Sequence, residues 1–178
     1  LAAKAPPPPP KPVERITLFD AEHAFLSNDS PATVYLDGQG FPSVALAYNA
    51  AKELHDRLRP GMQREWDDKR PALMRRLLRS KFAHPQLRQA LLATGEKHLS
   101  HQAEGADPYW HAPLGEGENT LGRLLMELRA QLNKSYQFLR DEEEEQADLS
   151  SERAQVALPE EAGAERDGGE PAVAGAEV

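Results

Sequence analysis

The sequence predicts an α+β fold that is mostly helical, a single domain with a few short strands, flanked by disordered tails. Three observations predict it. Leucines and other large apolar residues recur at helical spacing in four separate stretches. Two short runs rich in β-formers, Ile16-Thr-Leu-Phe19 and Thr33-Val-Tyr-Leu36, come before them. Composition also shifts sharply at both ends: residues 1–14 are proline-rich, and residues 141–178 hold 13 of the 29 acidic residues with only Arg153 and Arg166 as bases. The expected boundaries are therefore 1–14, 15–140 and 141–178. With 178 residues one domain is the default, and a body of about 125 residues can bury a core.

The net charge of -8 is unevenly placed. Residues 1–140 keep 16 acidic and 19 basic residues, a net of +3. A mildly basic body with an acidic tail suits a phosphorylated ligand. It is too weakly basic to argue for duplex nucleic acid. There is no cysteine, so disulfides and cysteine-ligated zinc are excluded. No run approaches the length of a membrane span, and a cytoplasmic location is the expectation. The chain begins with Leu rather than Met, as a fragment or a processed chain would.

Taken in order, Pro6 to Pro10 should form polyproline II, either a stiff linker or a ligand for an SH3 or WW domain. The strands at 16–19 and 33–36 are expected to pair, and Asp37-Gly38 closes the second. Ser43 should cap a helix to about Leu58, burying Ala47, Ala50, Ala51, Leu54 and Leu58, with Lys52 on the edge of that face. Pro60-Gly61 breaks the chain. Asp67 or Asp68 should cap the next helix, placing Pro71 in its first turn. Its stripe is Leu73, Met74, Leu77, Leu78 and Phe82. Its other face, Arg70, Arg75, Arg76 and Arg79, is open to two readings, a solvated surface or a phosphate contact. Gln86 to Ala93 makes a short helix closed by Gly95, and residues 97–101 a short strand.

The last helix follows the loop Gly115-Glu-Gly-Glu-Asn119. Asn119 is a natural N-cap, and Leu121, Leu124, Leu125, Leu128 and Leu132 form the stripe. Gly122 lies one turn in, where a missing side chain lets another backbone or a ligand approach. The helix should end near residue 140. Beyond it, large apolar groups are too few to offset the entropy of ordering.

Catalytic signatures are scarce. No Gly-x-Ser-x-Gly elbow, Walker loop or dinucleotide fingerprint is present. His98 and His101 would point to opposite faces of a strand, so no metal site is expected, and no cofactor either.

Certain punctuating residues nevertheless carry a resemblance. Phe25-Leu-Ser-Asn28, Gly38, Phe41-Pro-Ser43, Lys52, Trp66, Met74, Lys81-Phe82, Leu91-Leu-x-Thr-Gly95, Trp110, Gly117-x-Asn-x-Leu-Gly122 and Leu125-Met126 occur in that order. Over residues 16–132 the chain resembles the NADAR superfamily, or YbiA-like family. The resemblance implies an N-glycosidase (a hydrolase) tied to phosphoribosylamino-pyrimidine intermediates of riboflavin synthesis and to removal of ADP-ribose from nucleobases. By that analogy Lys52, Trp66 and Asn119 line a pocket for ADP-ribose or another ribose-phosphate compound. Asn28 and Trp110 lie near it, and Asp67 is a neighbouring carboxylate.

Cleaving an N-glycosidic bond builds oxocarbenium charge, which a carboxylate must stabilise. Here the chain departs from the family. Ala45-Leu46 stands where the family has Glu-His, His101 or Gln102 where it has a second Glu, and His111 where a Gly follows the tryptophan. The Lys52–Trp66 segment is also shortened. The expectation is a binding fold with a degraded catalytic site, a pseudoenzyme. The alternative is a non-catalytic nucleotide-binding or protein-interaction module.

Overall fold

A computed structural model describes residues 12–156, the last six as backbone only. The proline run and the end of the acidic tail lie outside the described residues. The chain falls into two units, one through Gln137 and one from Phe138 onward.

The first unit is mostly helical. Strand β1 (Arg15–Ile16) pairs in parallel with β4 (His98–Leu99), and β2 (Val34–Leu36) pairs antiparallel with β3 (Gln39–Phe41). This corrects the expected pairing of the first two strands. Asp37 and Gly38 both adopt positive φ, 49° and 83°, so a two-residue turn folds β2 back onto β3 before it could meet β1. The sheet partner of β1 comes from 83 residues away instead, with Ile16 opposite Leu99.

Helix α1 (Val44–Leu58) starts as expected, with the Ser43 hydroxyl accepting the Leu46 N–H at 3.2 Å. Helix α2 (Gln63–Lys81) begins five or six residues earlier than a cap at Asp67 or Asp68 predicts. Pro71 therefore lies inside it, where its ring removes one backbone donor. Asp67 does not cap the helix: it accepts from Gln63 Nε2 at 2.9 Å, one turn back. Helix α3 (Pro85–Ala93) ends where Gly95 takes φ +60°.

Helix α4 starts at Thr120 and runs to Val156, past its expected end near 140. Its stripe packs Leu121, Leu124, Leu125 and Leu128 against Met74, Leu77, Leu78 and Phe82. Gly122 is essential to this docking. A methyl group there would overlap the Leu99 carbonyl oxygen and crowd the Asn119 amide.

The second unit is the distal part of α4. The acidic run Asp141–Glu145 is helical, and every side chain from Phe138 to Ser150 is exposed. No helix among the described residues is long and apolar enough to cross a membrane.

Candidate functional site

Two helices each contribute an aromatic residue and, one turn later, a cation. On α1 these are Tyr48 and Lys52; on α2 they are Trp66 and Arg70. A loop supplies Tyr109 and Trp110. Tyr48 is the hub. Its ring lies 5.3 Å from Trp66 and 5.5 Å from Trp110, edge-on to both. Trp66 and Trp110 are buried, at 4% and 7% exposure. Lys52 Nζ stands 5.6 Å above the Trp66 ring and is paired with Asp56 at 2.5 Å. The Arg70 guanidinium lies 3.5 Å over Tyr109. Burial pushes the Tyr48 phenol up, while the Trp66 indole, Arg70 and the Trp110 indole pull it back down.

Asn28 sits at the head of α1. Its carbonyl accepts the Ala45 N–H at 2.9 Å, and its side-chain oxygen is buried without a partner. The position where the family resemblance leads one to expect a glutamate is thus beside Asn28, one turn before Tyr48, and holds only a methyl group.

The Asn28 loop is clamped from below by Lys81. That side chain is fully buried, and its Nζ donates to the Ser27 carbonyl at 2.6 Å and to Ser30 Oγ at 2.8 Å. Burial lowers its pKa from 10.5 to about 8, and only Asp29 opposes the shift.

On the other side of the loop the His101 and His111 rings meet at 4.9 Å. His101 Nδ1 accepts the Phe19 N–H at 3.0 Å, which places the proton of the neutral ring on Nε2. Burial, then the His101 charge, holds His111 below the ordinary histidine range, against Asp107 and Asp29. Among the described residues no three His, Asp or Glu side chains gather as a metal set.

Asn119 behaves differently from the expected cap. It takes φ 49°, its Nδ2 donates to the Leu99 carbonyl at 2.9 Å, and its side-chain oxygen is buried and unpartnered. Its carbonyl still receives the Arg123 N–H, so the backbone caps the helix while the amide ties α4 to β4. Its own N–H reaches the His111 carbonyl, and the Leu121 N–H reaches that of Trp110. The loop and the helix start are one piece.

Lys52, Trp66 and Trp110 therefore share one aromatic run, joined by Tyr48. Asn28 lies at the near end of α1, and Asn119 beside the Trp110 backbone, with its amide engaged by Leu99. Asp67 stays on α2, 3.4 Å from Arg70. Tyr48 and the special position of Arg70 were missed in the sequence. The only signal was their i, i+4 spacing with Lys52 and Trp66, which needed the true start of α2 to be read.

A hollow lies between the hairpin, α1 and α2. It is an open groove of about 460 Å³ lined by Leu36, Phe41, Ala50, Ala51, Leu54 and Leu58, with Trp66 at its edge and Arg59 and Lys69 among its polar lining. This corrects the expected burial of Leu54 and Leu58, which are 46% and 66% exposed. Both cations are engaged by Glu65.

The helical fold, short paired strands and aromatic site define a class. A family model for the NADAR domain matches residues 16–133, and the chain belongs to that family. Its relatives are the N-glycosidase YbiA of Escherichia coli, 44% identical over 85 residues (47% of this chain, 52% of that protein), and the Shigella flexneri serotype 5b protein of the same name, 32% identical over 133 residues (62% and 82%). A riboflavin biosynthesis protein of Vibrio vulnificus is 31% identical over 137 residues, covering 65% of this chain and 37% of its own length. The NMR structure of E. coli YbiA superposes with a TM-score of 0.57 at 29% identity, covering 70% of this chain and 88% of that one.

Proposed function

We propose that this domain binds ribose-phosphate N-glycosides, ADP-ribose compounds among them, in an N-glycosidase-type site whose hydrolytic power is largely lost. One observation carries the reading: Trp66, Tyr48 and Trp110 form a continuous aromatic run between Lys52 and Arg70, with Tyr48 one helical turn after Ala45. Indole faces suit a base, and the two cations suit phosphate. The relatives named N-glycosidase support the reaction class.

Ala45 cannot stabilise oxocarbenium charge or activate water, and His101 is tied to the Phe19 backbone. Loss of general acid–base help costs about 10²–10⁴-fold in rate. The test is release of free base from an ADP-ribosylated nucleobase and from a phosphoribosyl N-glycoside, beside a melting curve with ADP-ribose. A rise in melting temperature with little base released is the expected result. Robust turnover that Lys52→Ala abolishes would overturn the loss of activity. No thermal shift at millimolar ADP-ribose would overturn the binding.

A further inference from the structure

Of the four arginines on one face of α2, three meet a partner on another element. Arg75 pairs with Glu127, Arg76 with Asp37, and Arg79 donates to Gln131. Arg70 is different. Its guanidinium is laid flat on the Tyr109 ring, and its Nε is buried with no hydrogen-bond partner. Among the described residues its ion pair is to Asp67 Oδ1, at 3.4 Å and partly exposed. Buried donors are almost always satisfied, so an orphan in a fully ordered helix calls for an acceptor from outside the chain.

The surroundings supply more donors. The Tyr48 ring packs against the Trp66 and Trp110 indoles at 5.3 and 5.5 Å, and Trp110 packs at 4.8 Å against Tyr109, on which Arg70 rests. Two indoles, a phenol and a guanidinium thus gather in one cluster, and an indole or a guanidinium can only donate. The Asp67 carboxylate that pairs with Arg70 is also taken by Gln63. A cluster this rich in donors is matched by a ligand that brings several acceptor oxygens and a negative charge. A planar guanidinium offers such a ligand a two-point contact, and the ring beneath it fixes the plane in advance.

We propose that Arg70, held on Tyr109 in the cluster of Tyr48 and the two indoles, is the anion subsite that takes the phosphate or pyrophosphate of the bound compound. The assignment rests on the ligand class proposed above but is tested apart from it. Lys52 is already paired with Asp56, so of the two cations it is Arg70 that sets the preference for phosphorylated over unphosphorylated ligands.

The chain has only two tryptophans, Trp66 and Trp110. Both flank Tyr48, so intrinsic tryptophan fluorescence reports from this cluster alone. The full chain is titrated with inorganic pyrophosphate, ribose 5-phosphate and adenosine, and so are Arg70→Gln, Arg70→Lys and Tyr48→Phe. Saturable fluorescence change with pyrophosphate and ribose 5-phosphate is expected. Losing a charge-assisted, two-point contact should weaken both about tenfold or more in Arg70→Gln, with Arg70→Lys between. Adenosine should bind Arg70→Gln as it binds the parent. Equal phosphate affinity in parent and Arg70→Gln overturns the subsite, as does a parent that responds to adenosine but not to either phosphate. If pyrophosphate binds through Arg70 and adenosine does not bind, the subsite stands and the nucleotide reading fails. Should Arg70→Gln melt early, Tyr48→Phe, which removes one oxygen, must still weaken pyrophosphate, or the proposal falls.

Discussion

Lys81 is a buried cation without a carboxylate in contact, and its titration gives the clearest prediction for a single residue. Folded, it releases its proton near pH 8; unfolded, near 10.5. Between those values the unfolded chain binds more protons, so stability rises with pH there, and below about pH 8 the cost of the buried ammonium is fully present. The shift corresponds to about 3 kcal/mol. Urea unfolding from pH 7 to 10.5 should show this rise in the parent and not in Lys81→Met; parallel profiles would contradict it. Gly122 gives the second prediction. Its added methyl would strike the Leu99 carbonyl, which β4 holds in place, so Gly122→Ala should cost about 1–3 kcal/mol or more, seen as a lower melting temperature. The need for Gly122 could be read from the chain, because a glycine one turn into a leucine helix has few other reasons to exist. The role of Asn119 could not, since whether an asparagine caps its own helix or bonds to a distant carbonyl depends on the partner that arrives, here Leu99.

At the scale of elements, the hairpin and the capped α1 were legible because their signals are local: Asp37-Gly38 and Ser43 act on residues within one turn. The start of α2 was not, because Pro71 is a better first-turn residue than an interior one and tertiary packing overrode that preference. The leucine period along α1 predicted one buried face. Burial needs something to cover it, and with the short Lys52–Trp66 connection Leu54 and Leu58 are left bordering an open groove. Their energetics should follow. Leu58→Ser should change stability by less than about 0.5 kcal/mol, whereas Leu77→Ala, in the sealed α2–α4 interface, should cost about 2–5 kcal/mol. Chemical denaturation of both variants checks the contrast, and a large loss for Leu58→Ser would mean the groove is covered in solution.

Across the whole molecule, the parallel β1–β4 pair joins Arg15–Ile16 to His98–Leu99, and the aromatic site joins α1, α2 and the 109–110 loop. Contacts of such long sequence separation leave no periodic trace, which is why the family resemblance, and not local pattern, pointed to Lys52, Trp66 and Asn119, with Trp110 and Asn28 nearby. Among the described residues the buried core runs from Ile16 to Leu128, in the first unit. A chain ending at Gln137 should therefore keep the melting temperature of the whole to within a few degrees, which calorimetry can check. The central claim is that the aromatic run with its two cations holds a ribose-phosphate compound. Calorimetric titration of the full chain with ADP-ribose tests it most directly. Saturable binding that falls about tenfold in Trp66→Leu, the loss expected for one stacking contact of about 1–1.5 kcal/mol, with the fold retained, is the predicted result; no heat of binding up to millimolar ligand, or binding indifferent to Trp66, would contradict it.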